Sequence, residues 1–277
     1  MDTQKLLSEI QRKKSYLCIG LDSDFDKLPT HLKKEKDPIF AFNKAIVDET
    51  HDTAVAYKIN TAFYEALGSQ GWESLYQTAH YIKKQHPDIF LIADAKRGDI
   101  GNTAKMYAKA FFEQMPFDAV TVAPYMGRDS IDPFLGFPGK WVIVLGLTSN
   151  QGAYDFQFFY SEQENQFLFE KVISTTCSWS TEDNMMFVFG ATKVEELKNI
   201  RKIIPNHFLL VPGIGAQGGS LEDVSAHGLN QQCGLLINSS RSIIFGDSSE
   251  QFSATARRKA KELQEKMSSL LKENHII

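Results

Sequence analysis

Ile89-Phe90-Leu91-Ile92-Ala93-Asp94-Ala95-Lys96-Arg97-Gly98-Asp99 passes in one step from an apolar run to a cluster of charge. A continuous apolar run of this kind reads as a strand buried on both faces, as in a parallel sheet covered by helices. The charges then fall where that strand ends. Side chains of an extended segment alternate between faces, so Asp94 and Lys96 point the same way and Ala95 the other. Two opposite charges therefore share one small site. Asp99, in the loop beyond, faces either that site or a neighbouring subunit. Taken alone, D-x-K-x-x-D reads better as a solvated loop with an incidental ion pair, because three common residue types recur often by chance.

Similar apolar runs appear on both sides of this one. Together they span Tyr16 to Asp22, Val55 to Asn60, Phe90 to Lys96, Ala119 to Tyr125, Trp141 to Thr148, Met185 to Thr192, Phe208 to Gly215 and Gly234 to Arg241. The intervals leave room for a helix each. Asp37 to Thr50 opens with an Asp cap and Pro38 in the first turn, and Trp72 to Gln85 stops before Pro87. Thr103 to Gln114, Lys193 to Ile204, Leu221 to His227 and Gln251 to Asn274 complete the set. Strands alternating with helices imply either a closed (β/α)8 TIM barrel or a doubly wound open sheet. The count of eight favours the barrel, and no Gly-x-Gly-x-x-Gly follows the first run, which weakens a dinucleotide-binding sheet. The expected organisation is α/β, a single barrel domain over 1–277. The long interval Asn150 to Asn184 reads as a loop and one helix, its phenylalanines serving packing.

Composition sets the outer limits. Apolar residues at 43% and charged residues at 23% over 277 positions fit an ordinary globular protein with one large core. A formal net charge of −4 argues against a nucleic-acid partner, although a local Lys/Arg cluster can still hold a small anion in a cleft. Cys18, Cys177 and Cys233 are widely spaced and read as buried, reduced thiols. Met1 to Lys14 is polar, with no apolar stretch of signal-peptide length, so a cytoplasmic protein without a membrane role is expected.

In a barrel, catalytic groups come from the carboxyl ends of several strands, and the loops after the seventh and eighth often bind phosphate. The first run ends Gly20-Leu21-Asp22, the second holds Tyr57-Lys58-Ile59-Asn60, and the third holds Asp94 and Lys96. After the seventh come Pro212 to Gly219, whose glycines let backbone N–H groups approach an anion; the eighth ends at Arg241, a natural phosphate clamp. Singly, Asp22 reads as a turn cap and Lys58 as a lysine reaching water from a strand tip. Their joint arrival at one rim favours a site.

These motifs, with Asp94 to Thr103, Thr148-Ser149-Asn150 and Asn238 to Arg241, resemble the orotidine 5′-monophosphate decarboxylases, in their longer bacterial branch. The resemblance implies a cofactor-independent, metal-free decarboxylation of orotidine 5′-monophosphate to uridine 5′-monophosphate, the last step of UMP biosynthesis. It implies that Lys58, Asp94, Lys96 and, across a homodimer interface, Asp99 form an alternating charge array around the C6 carboxylate, with Lys96 as proton donor. Asp22 and Lys58 would contact the ribose hydroxyls, Thr103 and Asp99 the ribose of the neighbouring site, and Ile100 the pocket of the departing carboxylate. Ser149 would bind the pyrimidine, and Gln217 and Arg241 the phosphate. One departure stands out: Gln151-Gly152 follows Asn150, where that branch usually has proline then glycine. The alternative is a Mg2+-dependent sugar-phosphate decarboxylase or aldolase of the same superfamily. Those enzymes usually carry an acid where this chain has Lys58.

Overall fold

The computed structural model describes residues 1–214 and 219–277. Within them, eight parallel strands close into a barrel: β1 Leu17–Gly20, β2 Ala56–Asn60, β3 Phe90–Arg97, β4 Ala119–Val122, β5 Trp141–Leu147, β6 Met185–Phe189, β7 Leu209–Pro212 and β8 Leu235–Ser239. Each pairs with its neighbours in chain order, and β8 returns to β1 through Leu17 opposite Ile237. The strands are buried almost throughout, as their unbroken apolar character required. Trp141 and Phe90 meet edge to face at 5.7 Å, both fully buried. Burying one such ring contributes roughly 1.5–3 kcal/mol.

Helices cover the barrel where the punctuation placed them. Pro38–Thr50 starts at Asp37, whose carboxylate accepts from the Phe40 N–H at 3.0 Å. It packs against the last helix, Phe252–Glu273, through Phe42 and Phe252, stacked at 5.2 Å. A further helix, Thr3–Lys13, forms in the polar first segment. Asp2 caps it, Leu6 and Ile10 are buried beneath it, and the Trp141 indole donates to the Met1 carbonyl at 2.8 Å. The chain start is therefore tied to the amino-terminal end of β5.

Several boundaries differ from expectation. The fourth run stops at Val122, because Pro124 and Gly127 turn the chain and leave Tyr125 92% exposed. The eighth stops at Ser239, so Arg241 opens the short helix Arg241–Ile244 instead of ending a strand. After β2 a short helix Ala62–Glu65 comes first, and the long helix Gly68–Gln85 begins at Gly68, in the left-handed region at φ 63°, ahead of Trp72. That after β3 runs Gly101–Lys109 and widens into a π-turn over Ala110–Gln114. Segment 150–184 is richer than a loop and one helix: a short helix Ala153–Phe156 and a hairpin pairing Tyr160–Ser161 with Gln166–Phe167 precede the helix Leu168–Cys177. Phe158, Phe167 and Phe169 do pack together, with ring centroids 5.3–5.7 Å apart, whereas Phe156 and Phe159 are exposed. Burial pushes the Cys18 and Cys233 thiols up to about 12; Cys177 is only partly buried. No helix among the described residues is long and apolar enough to cross a membrane.

Candidate active site

Register explains how the charges meet. Lys58 pairs with Ile92, two positions before Asp94, so both side chains leave the sheet on the same face. The Lys58 ammonium lies 2.7 Å from Asp94 Oδ2 and 3.7 Å from Asp22 Oδ1. Lys96 Nζ reaches Asp94 Oδ1 at 2.6 Å. Simple alternation does not bring Lys96 there. Between Ala93 and Arg97 the β3–β4 ladder shifts, and Lys96 itself is left-handed at φ 46°. The charges converge as expected, through a bulge.

Their electrostatics follow from burial and proximity. Burial alone would raise the Asp94 carboxyl, but Lys58 and Lys96 outweigh it and hold it down at about 2. Burial would likewise push the Lys58 ammonium down, and the carboxylates of Asp94 and Asp22 overcome this and hold it above its ordinary value. Asp94 and Lys58 are therefore both charged at neutral pH. The Lys96 side chain is half exposed and faces the mouth.

A cavity of about 350 Å³ opens above this array at the carboxyl ends of the strands. Of the expected residues, Asp22, Lys58, Asp94, Lys96, Ser149 and Arg241 line it. Asp99, Ile100 and Thr103 do not; Ile100 is 50% exposed, and all three follow β3 in the chain. Gln217 lies outside the described residues. Ser149 reaches the cavity despite Gln151, because Thr148 is held by Gln157, whose amide oxygen accepts from the Thr148 N–H at 2.8 Å. Gly190 of the next loop lies directly behind: a Cβ there would stand 2.7 Å from the Ser149 nitrogen. At the end of the neighbouring strand β7, Gly213, at φ 98°, and Ile214 also line the cavity, as does Arg241.

The sequence reading missed Asn60, Asn238 and Ser240, which also line the cavity. Ser240 donates to Asp22 Oδ2 at 2.6 Å, while Asp22 Oδ1 is buried without a hydrogen-bond partner among the described residues. Asn238 and Ser240 stand in the Asn238 to Arg241 motif, so the signal was present and unassigned. A larger hollow of about 580 Å³ beside Phe25, Pro38 and Leu67 lies away from the array, and its Asp37 is already used as a helix cap.

Opposed charges at the carboxyl mouth of a closed parallel barrel, with glycine backbone and an arginine lining the same mouth, define the class of (β/α)8-barrel enzymes that act on small anionic substrates. The chain belongs to the Orotidine 5′-phosphate decarboxylase / HUMPS family, whose sequence profile matches residues 15–254. It is 57% identical over 272 residues to the orotidine 5′-phosphate decarboxylase of Bacteroides fragilis, covering 98% of this chain and 99% of that protein. The orotidine 5′-phosphate decarboxylase of Porphyromonas gingivalis is 52% identical over the full length of both chains. Among solved structures, the OMP decarboxylase of Leishmania donovani superposes with a TM-score of 0.82 at 34% identity, covering 98% of each chain.

Proposed function

We propose that this chain, as one barrel unit over residues 1–277, decarboxylates orotidine 5′-monophosphate to uridine 5′-monophosphate in pyrimidine biosynthesis. The observation that carries the mechanism is the Lys58–Asp94–Lys96 chain, joined at 2.7 and 2.6 Å on the cavity floor. When the C6–carboxylate bond breaks, its electron pair stays on C6. An adjacent ammonium stabilises that charge and supplies the proton. Lys96 is suited to both tasks, since its side chain lines the cavity while the buried Asp94 holds its ammonium. CO2 departs, C6 gains the Lys96 proton, and the neutral amine recovers a proton from solvent. Because both Asp94 oxygens are engaged by ammonium groups, the geometry favours Asp94 as the group that orients Lys96 over one that mainly repels the substrate carboxylate.

The remaining contacts follow the same logic. Asp22 Oδ1, buried and without a hydrogen bond among the described residues, is an acceptor suited to a ribose hydroxyl, with the Lys58 ammonium 3.7 Å away. Arg241 and the Gly213 backbone suit the phosphate, with Gln217 proposed in the same role, and Ser149 suits the pyrimidine. A homodimer accounts for Asp99, Ile100 and Thr103. They stand outside this chain's cavity, and so are proposed to complete the neighbouring site. A cytoplasmic location fits a biosynthetic step of this kind.

The test is the loss of orotidine 5′-monophosphate absorbance in EDTA, with Lys96→Ala alongside. Turnover without metal, abolished in Lys96→Ala while UMP still binds, is the expected result; strict dependence on Mg2+ would favour sugar-phosphate chemistry. Mixing Lys96→Ala with Asp99→Ala should restore part of the activity in heterodimers. No recovery despite proven subunit exchange would overturn the shared site.

A further inference from the structure

We propose that Thr121 is a positioning residue that fixes both ends of Lys96, an inference that rests on the reading of Lys96 as proton donor. Thr121 lies in the middle of β4, fully buried, in the otherwise apolar run Ala119-Val120-Thr121-Val122. Its hydroxyl accepts from the Lys96 backbone N–H at 2.9 Å and donates to Asp94 Oδ1 at 3.1 Å. The same Oδ1 takes the Lys96 ammonium at 2.6 Å. Backbone of Lys96, hydroxyl of Thr121, carboxylate of Asp94 and ammonium of Lys96 thus form a closed circuit.

The circuit has a physical purpose. Between Ala93 and Arg97 the ladder with β4 shifts, so the Lys96 N–H bonds to a side chain where a regular ladder would use a backbone carbonyl. Lys96 also sits in the left-handed region, which a residue with a Cβ enters at a steric cost and keeps only when its surroundings impose it. By accepting from that N–H, the Thr121 hydroxyl must aim its own proton elsewhere, and Asp94 is the acceptor it meets. One hydroxyl therefore holds the bulge in shape and orients the carboxylate that orients the ammonium. The Lys96 side chain is half exposed and has several rotatable bonds; without this circuit its tip would sample positions away from the reacting carbon. Thr121 touches no substrate in this arrangement and acts through Lys96.

Thr121→Val keeps the branched shape and removes the hydroxyl; Thr121→Ser keeps the hydroxyl. Loss of one hydrogen bond to a charged group corresponds to a fall in kcat of about 10- to 100-fold. The expected result is that fall for Thr121→Val, with KM and UMP affinity held within about 3-fold and recovery of kcat in Thr121→Ser. A near-normal kcat in Thr121→Val would overturn the assignment. So would an equal loss in the serine variant, or a change confined to KM. Should Thr121→Val fail to fold, Thr121→Ala against Thr121→Ser decides on the same criteria. Lys96→Ala, measured in parallel, separates the two readings. If it is dead while Thr121→Val is normal, only the positioning role falls. If it remains active, the proton-donor reading falls first.

Discussion

Asp94→Asn keeps the shape of the side chain and removes its charge, and its cost can be worked from the site. Lys58 is 4% exposed and 2.7 Å from Asp94; its other carboxylate, Asp22, is 3.7 Å away. Removing one partner of a buried pair costs about 3–5 kcal/mol. Asp22 retains part of the compensation, which places this case near about 3 kcal/mol, roughly a hundredfold in the folding equilibrium. Lys96 adds little, because an ion pair with a half-exposed partner is worth under about 1 kcal/mol. The sign of the pH dependence follows from Lys58. In the native protein its pKa is raised, so its contribution is complete below the ordinary lysine value and lost only at strongly alkaline pH. In Asp94→Asn burial dominates, the ammonium loses its proton more readily, and the gap to wild type narrows as pH rises from about 7 to about 10. Urea titration of both proteins at the two pH values measures this as a shift in midpoint with unchanged slope. Adding Lys58→Met should regain part of the loss, since no buried cation remains unpaired. A deficit below about 1 kcal/mol at neutral pH, or one independent of pH, would refute the reasoning.

Gly190→Ala places a methyl group against the Ser149 backbone, 2.7 Å from its nitrogen, where no rotamer change can relieve it. It should lower kcat/KM by about 100-fold, and steady-state kinetics with a normal value would show that the Ser149 loop tolerates displacement. Ser240→Ala removes the donor to Asp22 Oδ2 and should raise KM by about 5-fold, as the loss of one hydrogen bond near 1 kcal/mol requires, with kcat little changed. His207 is buried against Phe187, and neither ring nitrogen is hydrogen-bonded among the described residues. Burial pushes its pKa down, Arg201 adds to this and Glu182 opposes it. A depressed histidine pKa leaves stability complete above its ordinary value near 6.5 and erodes it as pH falls below that. His207→Phe should therefore lose less stability than wild type between about pH 7 and about pH 5, and equal losses in the two proteins would contradict this.

The strands were legible because a parallel strand covered on both faces has no polar alternation to hide it, and the helices because Asp37, Pro38 and Pro87 mark their ends in any context. The helix Thr3–Lys13 was not, since only Leu6 and Ile10 mark its buried side in a polar segment. The aromatics of 150–184 looked alike in sequence, yet Phe169 is buried and Phe156 is exposed, a difference made by the hairpin between them. Asp22, Lys58, Asp94 and Arg241 could be named in advance because charge at or just past an apolar run is conspicuous. The contacts of Thr121 could not, because they arise where its hydroxyl meets a bulge on another strand.

Local chemistry along the chain was enough to imply the alternation of strands and helices, the end of the barrel that carries charge, and the residue types placed there. Those properties depend on near neighbours and on periodicity, which a linear string preserves. Distances between strands are another matter. That Lys58 and Asp94 stand 2.7 Å apart depends on the pairing of β2 with β3, and that Lys96 turns back toward Asp94 depends on a shift in the β3–β4 ladder. Register is a cooperative outcome of closing the whole barrel, so no segment of the sequence encodes it alone.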